Sequence, residues 1–319
     1  MSKNINSDQI KNVIQHIFDL PTLPTTIARM IEVIDHPSSS AQTLDRIISG
    51  DQALAAQILK LANSAYYGFP RKINTITLAI VVLGFETVKN FGLSVSVIDR
   101  FSCYNNTAPF DIYLFWEHSI CTALASRLLA RECGYQPAGE AFATGLLHDL
   151  GKYVISLHFR NEFEIVIKQM IEEDIPMFEA EEQQLSGINH AHAGAWLAEK
   201  WNLSDSIVEG IYFHHKPQLA LKHQRLVWII HFANYLTKKI GAGFSGDLST
   251  NCFQEEAILA LNLVLDGNGN IDEDYYFKKI SQEIEKEQAL FDLVRNRPGD
   301  KQLSNYQDNQ WSEYATNHA

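Results

Sequence analysis

Apolar residues recur along this chain at three- and four-residue intervals, the spacing of amphipathic helices. Pro24 stands where a first helical residue would, and Ile27, Met30, Ile31 and Ile34 follow at helical spacing. Asp51 is placed to cap the next helix, with Leu54, Ile58 and Leu61 along one face. Gly50, Gly68 and Gly84 punctuate these short segments. A polar stretch from Ser102 to Pro109 reads as a linker. Beyond it the pattern predicts a long helix over 111–133, closed by Gly134. Further helices are predicted near 138–157, 160–173, 189–201, 204–215 and 224–240. Gly241 to Thr250 (GAGFSGDLST) reads as a flexible joint, followed by two amphipathic stretches and a polar tail. No Asn-Gly turn lies between alternating strands, so the expected fold is all-α.

Composition narrows the class. With 46% hydrophobic and 20% charged residues over 319 positions, the chain is globular rather than disordered. Its net charge of −12 gives no general attraction to phosphate backbones or anionic lipid, so neither direct nucleic-acid binding nor a membrane partner is expected. Cys103, Cys121, Cys133 and Cys252 form no CxxC pair, which excludes a zinc ribbon and a thioredoxin-type site. Scattered thiols, a polar first segment (MSKNINSDQI) and an apolar run of only about ten residues, Ile76 to Phe85, point to a cytoplasmic location.

The histidines are unevenly spread. His148-Asp149 lie in GLLHDLGK, His118 in FWEHSI, His190 and His192 in NHAHAG, and His214-His215 in YFHHKP, with Asn234 in HFANYL. Imidazole suits transition metals and a carboxylate can bridge two of them, so such a set points to metal-assisted hydrolysis. Lys152, three residues after Asp149 on the same helix face, is placed to hold a phosphate oxygen. His16, His36, His158, His223 and His318 read as structural or solvated.

Ordered short motifs sharpen this reading. They are LPTLPTTIARMIEVIDHP, IISGDQALAAQILKLANSAYYG and TITLAIVVLGFETVKN in the first half. In the second half come FWEHSICTALASRLLA, AFATGLLHDLGKYVI, INHAHAGAWLAEKWNLSDSIVEGIYFHHKP and HFANYL. From about residue 20 to 240 the chain resembles the HDOD branch of the HD phosphohydrolase superfamily, the HD-related output domains of bacterial signalling. The resemblance implies a multi-helix HDOD fold, an N-terminal helical subdomain packed on an HD-like helical subdomain. It divides the chain into a lead-in (1–19), an HDOD domain (20–240, with halves 20–105 and 106–240) and a C-terminal helical extension with a polar tail (241–319).

Residue by residue, the resemblance implies metal ligands at His118, His148, Asp149, His192, His214 and His215, with Asp149 and Lys152 in catalytic roles. One or two transition-metal ions (Fe, Mn, Zn or Ni) would occupy such a site. The pattern also departs from cyclic dinucleotide phosphodiesterases. Asn234 stands where the superfamily has its last aspartate, Leu114 stands four residues before His118, and HHKPQLALK replaces the Gly-Tyr-Pro signature.

Three readings follow. One is a regulatory or output module that binds a signalling protein or a nucleotide through a domain with a modified HD-type metal site. Another is a metal-dependent phosphohydrolase acting on a nucleotide or cyclic dinucleotide. In the third, the histidines form a structural hydrogen-bond network. Two smaller features read as local structure. LDGNGNIDED has the wrong residues at the sixth and twelfth positions for a calcium loop and reads as a solvated turn before a helix. Tyr66, Tyr67 and Phe69 read as a packed corner capped by Asn63 or Ser64.

Overall fold

The computed structural model describes residues 25–34, 40–64, 71–102, 111–247 and 254–295, together with 67, 69, 249 and 250. Among these residues all regular structure is helical, apart from one isolated bridge between Leu265 and Ile271. The helices group into two compact units, residues 111–284 and residues 25–102 with 285–295.

The smaller unit contains α1 (Thr25–Ile34), α2 (Ala41–Ile48), α3 (Gln52–Ala62), α4 (Ile76–Leu83) and α5 (Phe85–Ser102). Asp51 Oδ1 accepts from Leu54 N at 3.1 Å and caps α3, and Leu54, Ile58 and Leu61 are buried. Asn63 braces the corner after α3: its amide donates to Leu59 O and Ile73 O, and its Oδ1 accepts from Ile73 N. Tyr67 stacks on Phe69 at this corner, and Pro24 and Tyr66 lie outside the described residues. A late helix, α16 (Gln288–Arg295), joins this unit by packing on α5 and burying Leu290, Phe291 and Val294. The C-terminal segment therefore divides between the two units. Among the described residues no single helix is long and apolar enough to cross a membrane; α4 and α5 pass only as a pair bent by 111°.

The larger unit is built around α6 (Ile112–Glu132), which is buried on nearly every face from Phe115 to Ala130. A helix buried on nearly every face lies inside its domain, and here the buried faces include His118, Ser119, Thr122, Ser126 and Arg127. α7 (Ala138–Leu147) packs along it through Gly145, where a Cβ would come within 2.9 Å of Ala123 Cα. α8 (Leu150–His158) follows, then α9 (Arg160–Glu173), α10 (Met177–Gln184), α11 (His190–Lys200), α12 (Asp205–Tyr212) and α13 (Gln224–Ile240). α14 (Gln254–Leu261) and α15 (Glu273–Lys286) extend the core on α13 and α6 with Leu261, Leu263, Ile271, Tyr276 and Ile280.

Two sequence expectations are corrected here. The single helix expected over 138–157 is two helices, interrupted at His148-Asp149, where Asp149 has φ −98° and ψ 0°. The break turns both side chains of the doublet inward. Second, the stretch 241–247 is not a loose joint. Gly241 ends α13 at φ 72°, and Gly243, at φ 68°, lies so close to α6 that a Cβ would meet Leu114 O at 2.4 Å. Phe244 N donates to Leu114 O at 2.9 Å, and Phe244, Ser245 and Asp247 are buried. This backbone approach is available only to glycine. The LDGNGNIDED stretch forms an exposed turn before α15, with Asp266 Oδ1 accepting from Asn268 N and Asn270 N.

Candidate metal centre

Five segments of the larger unit meet at Asp149. His118 comes from the middle of α6, His148 from the end of α7, and Asp149 and Lys152 from the start of α8. His190 begins α11, while His214 and His215 follow α12. Asp149 Oδ2 lies 3.4 Å from His148 Nε2 and 3.8 Å from His118 Nε2. The same oxygen accepts from Lys152 Nζ at 2.8 Å. Asp149 Oδ1 lies 3.2 Å from His190 Nε2 and 3.7 Å from His214 Nε2. His215 Nε2 is 2.8 Å from His190 Nε2, and its ring stacks on Phe178 at 4.5 Å. Two overlapping ligand groups result: His118, His148 and Asp149; and Asp149, His190, His214 and His215.

Neighbouring groups set the tautomers. His148 Nδ1 donates to Gly145 O at 2.8 Å, and His214 Nδ1 donates to Ile211 O at 2.7 Å. A carbonyl accepts only from N–H, so the Nε2 atom of each neutral ring carries a lone pair. Both Nε2 atoms are buried with no hydrogen-bond partner. His190 Nδ1 donates to Glu181 Oε2 at 2.5 Å, and its backbone N–H donates to the same oxygen. A carboxylate behind an imidazole fixes its orientation and raises its basicity toward a metal.

Electrostatics favour the same state. Burial pushes His118, His214 and His215 well below the ordinary histidine range, with neighbouring histidines adding to the effect. They are therefore neutral, as ligands must be. Burial alone would raise Asp149, but His148 and Lys152 more than offset it and hold the carboxyl well below its usual value. His190 is the exception: burial lowers it, yet the Glu181 charge leaves it raised.

His192, assigned to the ligand set from sequence, lies elsewhere. It occupies the third position of α11, where its Nδ1 accepts from Asn189 N at 3.0 Å and its N–H donates to Asn189 Oδ1 at 3.2 Å. This reciprocal capping box uses its ring locally, and its edge faces Tyr212. Residues two apart on a helix point to nearly opposite sides, so only one histidine of His-Ala-His can face Asp149. His190 does. The Asn-x-x-His spacing is a capping signal that could have shown this in the sequence. Glu181 and Ser245 were also missed; Ser245 Oγ accepts from Lys152 Nζ at 3.2 Å.

The donor set fits a transition metal: two unpartnered buried imidazole nitrogens converge on a carboxylate alongside two further histidines. Asn234 Oδ1 lies 3.1 Å from His118 Nε2.

The comparisons agree with this architecture. An uncharacterized protein of Treponema pallidum (strain Nichols) is 27% identical over 225 residues, 70% of this chain and 43% of that protein. The chain thus spans less than half the length of that relative. A Geobacter sulfurreducens HDOD domain protein of unknown function superposes with a TM-score of 0.71 at 24% identity, covering 90% of this chain and 99% of that one. A candidate signal transduction protein from Marinobacter aquaeolei VT8 gives 0.72 at 20% identity, covering 90% and 64%. A candidate phosphohydrolase from Shewanella amazonensis SB2B gives 0.67 at 22% identity, covering 88% and 97%. At these identities the structural matches establish the fold. The model of the HDOD domain matches residues 20–217, and the chain belongs to the HDOD family.

Proposed function

We propose that the chain is a regulatory module of signal transduction that binds a signalling protein or a nucleotide, with its HD-type centre serving as a closed metal-binding core. The observation that supports this most is burial. His118, His148, Asp149, Lys152, His190 and His214 are each no more than 1% exposed. All six side chains are shielded from bulk solvent, as a closed core requires. Asn234 adds to the argument, because it removes a negative charge that a two-ion centre would use.

A bound transition metal would be held by residues from the two ligand groups around Asp149, and in a hydrolase it would polarise a phosphoryl oxygen. The chain's own residues would orient that chemistry: Lys152, a buried cation whose Nζ bonds Asp149 Oδ2, would steady a phosphate oxygen beside the doublet. This placement favours the second reading, a metal-dependent phosphohydrolase acting on a nucleotide or cyclic dinucleotide. Relatives named as candidate phosphohydrolases support it at the level of fold.

The test pairs two measurements. Metal content is read by mass spectrometry on protein purified without chelator or affinity tag, and a nucleotide panel is screened for turnover. A bound metal without turnover, with partner or nucleotide binding retained in the His148→Ala/Asp149→Ala variant, is the expected result. Metal-dependent turnover that disappears in that variant would overturn the regulatory reading in favour of the hydrolase.

A further inference from the structure

The two halves of the centre are not equivalent. On the Oδ2 side of Asp149, Lys152 Nζ already sits at 2.8 Å and is fixed from behind by Ser245 Oγ at 3.2 Å. On that side His118 Nε2 is engaged by Asn234 Oδ1 at 3.1 Å. The separations to Oδ2 are 3.4 Å from His148 and 3.8 Å from His118, and this side gathers only three protein donors.

The Oδ1 side differs: no cation bonds its oxygen, which is buried without a hydrogen-bond partner. Its donors are one carboxylate oxygen and three imidazoles, from Asp149, His190, His214 and His215. Three of the six separations between donor atoms are 2.8 Å (His190 to His215), 3.2 Å (Asp149 to His190) and 3.7 Å (Asp149 to His214), and all six lie within 4.8 Å. A tetrahedral ion with bonds of about 2.0–2.1 Å spaces its ligands about 3.3 Å apart. These separations bracket that edge length. His214 Nε2 is already a bare lone pair, and Glu181 fixes His190 with Nδ1–H turned away from Asp149.

Charge balance points the same way. Asp149 and Glu181 bring two negative charges to this core and Lys152 one positive charge; nearby Lys238 is paired with Asp247 at 3.1 Å. One dication leaves the core with a single excess positive charge. A second dication would leave three, and Asn234 supplies no carboxylate to offset them. Burying unbalanced charge is expensive.

We infer that the chain holds one transition-metal ion of the zinc type, bound tetrahedrally by Asp149 Oδ1 and the Nε2 atoms of His190, His214 and His215, while Lys152 takes the place of a second ion at Oδ2. Glu181 is a positioning residue for His190. This rests on the metal-binding part of the proposed function. It goes further by fixing the number of ions, the geometry and the side of Asp149 they occupy.

The test strips the full chain with chelator, reloads it with Co²⁺ and reads bound equivalents together with visible absorption. The expected result is one equivalent with the intense visible bands of tetrahedral cobalt. His118→Ala keeps that equivalent and that spectrum. His214→Ala loses both, and so does His215→Ala, whose partly exposed site tolerates truncation if His214→Ala fails to fold. Glu181→Gln still binds one ion, but about 10–100-fold more weakly. Two equivalents, weak octahedral-type bands, or loss of the ion in His118→Ala with retention in His215→Ala would overturn the inference while leaving metal binding intact. No bound metal at all would overturn both.

Discussion

The crossing of α8 and α11 holds Asp149 against His190, and one methyl group is enough to test it. A Cβ on Gly151 would lie 1.9 Å from His190 O and 2.7 Å from Gly194 N. Both are backbone atoms, so no side-chain rotation relieves the overlap. Bringing the closest contact to 3.0 Å, a distance real Cβ atoms reach only rarely, requires the helices to part by about 1.1 Å. Overpacking a tight interior costs roughly 1–3 kcal/mol and more where nothing can rotate away. Alanine recovers up to about 1 kcal/mol of helix propensity over glycine. Gly151→Ala is therefore expected to destabilise the larger unit by about 2–3 kcal/mol, a fall in Tm of roughly 4–12 °C for a unit of this size. The same separation lengthens the 3.2 Å approach of His190 Nε2 to Asp149 Oδ1, so metal affinity should fall with it. Thermal unfolding by circular dichroism and metal equivalents on the same samples read both effects. Gly267→Ala is the control, since a Cβ there meets nothing within 4 Å. A Gly151→Ala protein within about 0.5 kcal/mol of the parent, with unchanged metal content, would refute the account of this crossing.

Other variants probe the surroundings. His192→Ala should lose about 1 kcal/mol with the capping box yet keep its metal, whereas His190→Ala should lose the metal; equal metal loss in both would return His192 to the centre. Asp247→Asn leaves Lys238 buried without its anion and should cost about 3–5 kcal/mol in urea unfolding, while the Lys238→Met/Asp247→Leu pair should cost far less. His231 is pushed down to about 4 by burial, so the unfolded chain takes up a proton first as pH falls. Its contribution is fully present above about pH 6.5 and is lost down to about pH 4, at roughly 1.4 kcal/mol per pH unit. His231→Gln should flatten that part of the stability–pH curve of the metal-free protein, and an unchanged slope would show that His231 is not depressed.

Much of this protein was legible in one dimension. Apolar spacing of three and four marks helices wherever they form, because a helix must bury one stripe whatever it packs against. Asp51 as a cap, Gly134 and Gly241 as helix ends, and the His148-Asp149 doublet with Lys152 follow from local chemistry that tolerates few alternatives.

What tertiary structure decided was direction. His190 and His192 have the same chemistry two positions apart, and only the start of α11 determines that one faces Asp149 while the other caps its own helix. The helix expected through the doublet breaks there because the convergence of α6, α7 and α8 supplies partners that outweigh continuous backbone bonding. The glycine-rich stretch after α13 looked loose because glycine permits many conformations. Packed against α6, that freedom serves a close backbone approach that brings Ser245 to Lys152. Periodicity and caps are properties of neighbours along the chain. Which nitrogen meets which oxygen is settled by helices more than a hundred residues apart, as His118 and Asn234 show, and no spacing in the sequence encodes that meeting directly.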